Sequence, residues 1–172
     1  TNILVDSSNG ALIENNLSRD DLDDGIEFVN SSNVTLSRNT FSNSGDDAID
    51  LESSDSVTIS NNTIGGSTDN GIFINSSASA VISGNTISDS GDDGIDLESS
   101  DNASIQNNTI TNAAETGIEL STSADATVDD NSIDGGDFGI FAGALDNAVI
   151  QNNIITNIVL SGIEIVDSNG VT

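Results

Sequence analysis

Residues 48–64 read AIDLESSDSVTISNNTI. Ile49 and Leu51 alternate with Asp50 and Glu52, and Val57 and Ile59 alternate with Thr58 and Ser60. Ile64 follows Asn62 two positions later. A period of two marks a strand with one buried face, so this stretch reads as three short strands. No segment sustains a 3.6-residue period. Ser, Asn, Asp, Thr and Gly crowd every segment, and all are poor helix formers.

Working outward, the phrase recurs every 23 residues. The coils run 2–24, 25–47, 48–70, 71–93, 94–116, 117–138 (one residue short), 139–161 and a half coil 162–172. Their starts are Asn2-Ile3, Gly25-Ile26, Ala48-Ile49, Gly71-Ile72, Gly94-Ile95, Gly117-Ile118, Gly139-Ile140 and Gly162-Ile163. Self-similarity at this period means a solenoid, because one coil cannot bury its apolar face alone. The 10 Leu are too few for a leucine-rich horseshoe.

Columns emerge when the coils are stacked. Asn16, Asn39, Asn62, Asn85, Asn108, Asn131 and Asn153 occupy a turn, where Asn tolerates left-handed backbone. At an inter-strand repeat of ~4.8 Å their amides can bond to those above and below. Ser8, Ser31, Ser54, Ser77, Ser100, Ser123 and Ser168 form an inward hydroxyl ladder, broken by Leu145. The Gly column falls where a side chain would be costly.

The phrases SSNVTLSRNTF, SDSVTISNNTI and SDNASIQNNTI, each followed by Gly-Ile or Ala-Ile and an alternating strand, resemble right-handed parallel β-helix repeats of the pectate-lyase-like superfamily. The resemblance spans the chain. It implies an all-β, right-handed parallel β-helix solenoid of about 7.5 coils, with three short strands per coil, as a single domain over 1–172. The stack would be roughly 35 Å long at the strand repeat. It implies no single activity, since lyases, hydrolases, epimerases, surface proteins and viral spikes share the fold.

Composition narrows the chemistry. The chain has 29 acidic residues, only Arg19 and Arg38 as basic ones, and a formal net charge of −27. Such charge raises the prospect of disorder. The regular recurrence of Ile, Val, Leu and Phe argues for a folded chain with a core. Cys, His, Pro, Met, Trp, Tyr and Lys are absent. This excludes disulfides, thiolate zinc sites and His-based acid–base chemistry. Phosphate backbones would be repelled, so nucleic acid is not an expected partner. Nothing approaches the length of a membrane span.

Among enzymes of this fold, polygalacturonases place acidic pairs before the first strand of successive coils. Asp23-Asp24-Gly25-Ile26-Glu27 and Asp46-Asp47-Ala48-Ile49-Asp50 resemble that pattern. The Gly-His-Gly and Arg-Ile-Lys motifs of those enzymes have no counterpart here. Asp92-Asp93-Gly94-Ile95-Asp96 repeats the phrase two coils later, as a structural ladder would. The expectation is therefore a non-enzymatic module.

One acidic column reads Asp23, Asp46, Asp69, Asp92, Glu115, beside Asp24, Asp47, Asn70, Asp93. An outward column reads Glu27, Asp50, Phe73, Asp96, Glu119, Phe141, Glu164. Like charges at ~4.8 Å repel, so something must offset them. Calcium suits clustered carboxylates. Two metal clusters are expected: Asp23, Asp24, Glu27, Asp46, Asp47 and Asp50, then Asp92, Asp93, Asp96, Glu115 and Glu119. The alternative is a solvated face screened by salt. Asp outnumbers Glu 22 to 7, which looks like proteins of salt-loving organisms.

Phe73 and Phe141 read either as sugar-stacking platforms or as ordinary covered or isolated aromatics. Thr35, Thr58, Ser104 and Thr127 read as strand formers, since Val81 and Val149 interrupt the array. The leading functional expectation is an extracellular or cell-surface structural segment of a longer solenoid, calcium-stabilised and associating end to end in a filament or fibre. The alternatives are a polysaccharide-binding or polysaccharide-processing β-helix, and a viral spike or tail segment.

Overall fold

The structure, a computed structural model, describes residues 1–172. It is an all-β parallel solenoid without helices, in which each coil contributes one strand to each of three sheets. Sheet 1 has eight strands, from Ile3–Asp6 to Ser161–Val166; sheets 2 and 3 have seven each. All pairings are parallel between successive coils. Right-handed winding follows from the strand twist that fixes parallel crossovers. No helix is long and apolar enough to cross a membrane.

The 23-residue register is the register of the sheets: Ile49 pairs with Ile26 and Ile72, Ile59 with Leu36 and Ile82, and Ile64 with Phe41 and Ile87. These inward columns form one core in which Ile26, Ile49, Ile72, Ile95, Ile118 and Ile140 are completely buried. The one-residue deletion in coil 6 is absorbed before sheet 1, where Gly135 and Gly136 take φ of 88° and 104°. Pairing then resumes with Ile118 opposite Ile140.

Both polar ladders form. The Asn85 amide donates to the Ile59 carbonyl and to Asn108 Oδ1, each at 3.0 Å. Its own Oδ1 accepts from the Asn62 backbone N–H at 2.9 Å and from Asn62 Nδ2 at 3.0 Å. Ser54 Oγ accepts from the Ser31 N–H and donates to the Glu52 carbonyl. One expectation needs correction. The left-handed residue is not the ladder Asn but its predecessor: Asn15, Arg38, Asn61, Asn107, Asp130 and Asn152 have φ of 53–60°. The ladder Asn is kept by its buried amide.

The glycine column is also explained by packing. A Cβ on Gly117 would stand 2.4 Å from Ile133 Cγ2 and 2.7 Å from the Gly139 carbonyl oxygen. Sheet 3 carries an outward column that sequence reading passed over: Thr40, Thr63, Thr86, Thr109 and Ser132, exposed and in register. Across coils 2 to 5 the strands of sheets 2 and 3 contain no charged residue at all. In those coils the acid is gathered on sheet 1 and on the turns that flank it.

Candidate functional site

The turn entering sheet 1 sets two adjacent carboxylate columns differently. Asp23 and Asp46 stand exposed, and Asp69 and Asp92 are half-buried. The next column is buried: Asp24, Asp47, Asn70 and Asp93 are 7%, 7%, 6% and 5% exposed. It is held by a relay along the axis. The Asn70 N–H donates to Asp47 Oδ1 at 2.8 Å, the Asp93 N–H to Asn70 Oδ1 at 3.1 Å, and the Thr116 N–H to Asp93 Oδ1 at 2.7 Å. Each side chain thus satisfies a backbone donor of the following coil.

Three residues further on, the outward column of sheet 1 stacks in the expected register. Phe73 pairs with Asp50 on one side and Asp96 on the other. Asp50 Oδ1 and Asp96 Oδ1 are buried without a hydrogen-bond partner. Coil 4 therefore presents Asn70 and Phe73 between two equivalent carboxyl pairs, Asp47 with Asp50 and Asp93 with Asp96. The pairs lie two strands apart, roughly 9.6 Å.

Burial governs the electrostatics. It pushes Asp47 up to about 7, opposed by the Asn70 N–H, and Asp93 to about 7, opposed by the Thr116 N–H. Burial and then the Asp24 charge raise Asp50 to about 7; burial and then Asp93 and Glu119 raise Asp96 to about 8. Asp24, Asp46, Asp69 and Asp92 are also raised, first by burial and then by neighbouring carboxylates. The four largest upward shifts thus belong to the two pairs around Phe73.

Three groups place three carboxylate oxygens within 4.8 Å of one another and could hold a metal ion: Asp23–Asp24–Asp46, Asp46–Asp47–Asp69, and Asp93–Asp96–Glu119. Of the residues expected to bind metal, Asp23, Asp24, Asp46, Asp47, Asp93, Asp96 and Glu119 are brought together in this way. Glu27, Asp50, Asp92 and Glu115 lie beside these groups but outside them. Asp69 was missing from the expected clusters although its column position predicted it. Phe138 was also missed. The short coil 6 brings it opposite Thr116, and its ring meets Phe141 edge-on, centroids 6.0 Å apart at 68°.

Coil and register define a parallel β-helix, the fold that pectate-lyase-like proteins share. More narrowly, the family model described as periplasmic copper-binding protein (NosD) matches residues 1–135, and the chain belongs to that family. No curated protein matches the chain. The fold is shared with the periplasmic alginate epimerase AlgG, at TM-score 0.86 and 15% identity over 98% of this chain and 46% of that one. An alginate lyase from Paenibacillus sp. str. FPU-7 superposes at TM-score 0.72 and 14% identity, covering 96% and 75%. Tailspike protein 2 of Escherichia coli O157:H7 bacteriophage CAB120 gives 0.62 and 15%, covering 95% and 28%. The chain spans about half the length of the epimerase.

The copper of the family description finds no suitable donors here. Copper is bound by thiolate, thioether and imidazole groups, and this chain has no Cys, Met or His.

Proposed function

We propose that the chain is a polysaccharide-binding β-helix module of the cell exterior or periplasm, with the glycan lying on sheet 1 over Phe73. The observation that carries this is the stack Asp50–Phe73–Asp96 on an outward strand face, flanked by the Asp47–Asn70–Asp93 relay. An aromatic ring offers the apolar face of a sugar a platform, while carboxylates and an amide beside it accept and donate to hydroxyls. The polysaccharide-acting neighbours and the periplasmic family support the same reading.

Charge restricts the glycan. Arg19 ends the sheet 3 strand Leu17–Arg19, and Arg38, in the turn between sheets 2 and 3, is tied to Glu14. Sheet 1 therefore offers a polyuronate no cation. The glycan is uncharged or bears amino groups. Proton abstraction as in lyases and epimerases would also lack a Lys, His or Tyr, so the first reading is binding and not elimination or epimerisation.

Titration calorimetry with neutral, amino and uronate oligosaccharides tests this. Wild type should bind a neutral or amino series, and Phe73→Ala should lose at least tenfold in affinity. Binding to uronates alone, or unchanged binding by Phe73→Ala, rejects the reading. A second reading, inverting hydrolysis, is favoured by the spacing of the two carboxyl pairs, close to the ~6.5–9.5 Å of inverting glycosidases. Release of reducing ends by wild type but not by Asp47→Asn or Asp93→Asn would establish it in place of simple binding.

A further inference from the structure

We infer that this chain has no copper site of its own, and that what it shares with its family is coil architecture, not metal chemistry. Cu(I) is selected by soft thiolate and thioether donors, and Cu(II) favours tetragonal sites with nitrogen donors, of which imidazole is the usual side-chain source. Neither donor occurs anywhere in the 172 residues. What remains is oxygen: 29 carboxylates, hydroxyls, and amide and backbone carbonyls. Most backbone nitrogens are already engaged, since 111 backbone–backbone hydrogen bonds hold the coils together.

The coil spacing is not what is missing. The three carboxylate groups show that adjacent coils bring three donor atoms within 4.8 Å. Asp96 and Glu119 are direct neighbours across sheet 1 and both half-buried, the arrangement that paired imidazoles would need. Only the donor type is wrong. Oxygen triads of this kind suit hard cations, and they lack the soft donors that hold Cu(I).

Cu(I) is the decisive probe, because Cu(II) clings weakly to any carboxylate. The whole chain is titrated anaerobically against the Cu(I)–bicinchoninate complex. The expected result is no loss of the complex's absorbance, even at tenfold excess of protein. Withdrawal of one equivalent of copper overturns the inference. A variant carrying Asp96→His and Glu119→His, checked for its β-sheet circular dichroism, should gain a Cu(II) absorption band that wild type lacks. A folded variant without that band overturns the claim that the coil geometry is competent. If the variant does not fold, the wild-type titration decides alone.

Discussion

Asp47 Oδ1 accepts the backbone N–H of Asn70, one coil further along, at 2.8 Å. The bond holds a carboxyl group at a buried corner of a strongly anionic molecule. The opposition between that bond and the burial around it sets how the protein answers to pH.

Stability should fall as pH rises. Asp47, Asp50 and Asp93 move from 3.8 to about 7, and Asp96 to about 8. Below about pH 4 these groups are protonated in both states and cost nothing. As pH rises the unfolded chain releases its protons first, so unfolding gains between about pH 4 and pH 8 and the loss then levels off. Thermal melts at fixed ionic strength should show a decline of several degrees across that window, about 2 kcal/mol or more after allowance for solvent screening. A flat or rising profile would contradict the buried-carboxyl account. Asp96→Asn should flatten part of the decline and raise the melting temperature at pH 8.

The amide ladder should be graded along the chain. Asn85→Ala removes the acceptor of two Asn62 donors and the donor to the Ile59 carbonyl, all buried. Orphaning such groups costs about 1–3 kcal/mol each, so a loss of about 3 kcal/mol or more is expected in urea unfolding. Asn16→Ala, at an exposed ladder position, should cost less than about 1 kcal/mol.

Gly117→Ala should destabilise by about 1–3 kcal/mol, since its methyl would meet Ile133 and the Gly139 carbonyl inside van der Waals range. The column admits Ala at one place, Ala48, which is 1% exposed. Ala48→Gly should change stability by no more than about 1 kcal/mol. Equal effects of the two substitutions in a denaturant series would refute the packing explanation of the column.

Asp46 belongs to two of the three carboxylate groups. If calcium occupies them, millimolar calcium should raise the melting temperature, with about 2.7 kcal/mol gained at a hundredfold excess over Kd. Asp46→Asn should remove most of that gain, whereas Glu115→Gln, outside the groups, should not. Sodium chloride should stabilise both variants alike by screening.

Much of this was readable from residues alone. Ile49, Ile59 and Ile64 announce three strands because period two and period 23 coincide. The Asn62 and Ser54 columns announce ladders because only stacking explains their recurrence. What could not be read is which of two adjacent aspartates turns inward. Asp46 and Asp47 are chemically identical in sequence, and only the corner geometry exposes one and buries the other. The same geometry places the left-handed residue at Asn61 and not at Asn62. Phe138 was hidden by the missing residue of coil 6, which shifts every column after it by one.

That missing residue has a consequence for how the chain finds its partners. Coils so alike can pair one step out of place with nearly every Ile, Ser and Asn still matched, a degeneracy that alternation alone does not lift. The bend at Gly135 and Gly136 accommodates the 22-residue step between Ile118 and Ile140. A chain threaded one coil late would bring a 23-residue loop to a corner built for fewer, and Leu145 to a place meant for serine. The irregular coil is therefore a registration mark, by which an otherwise repetitive chain knows its own position.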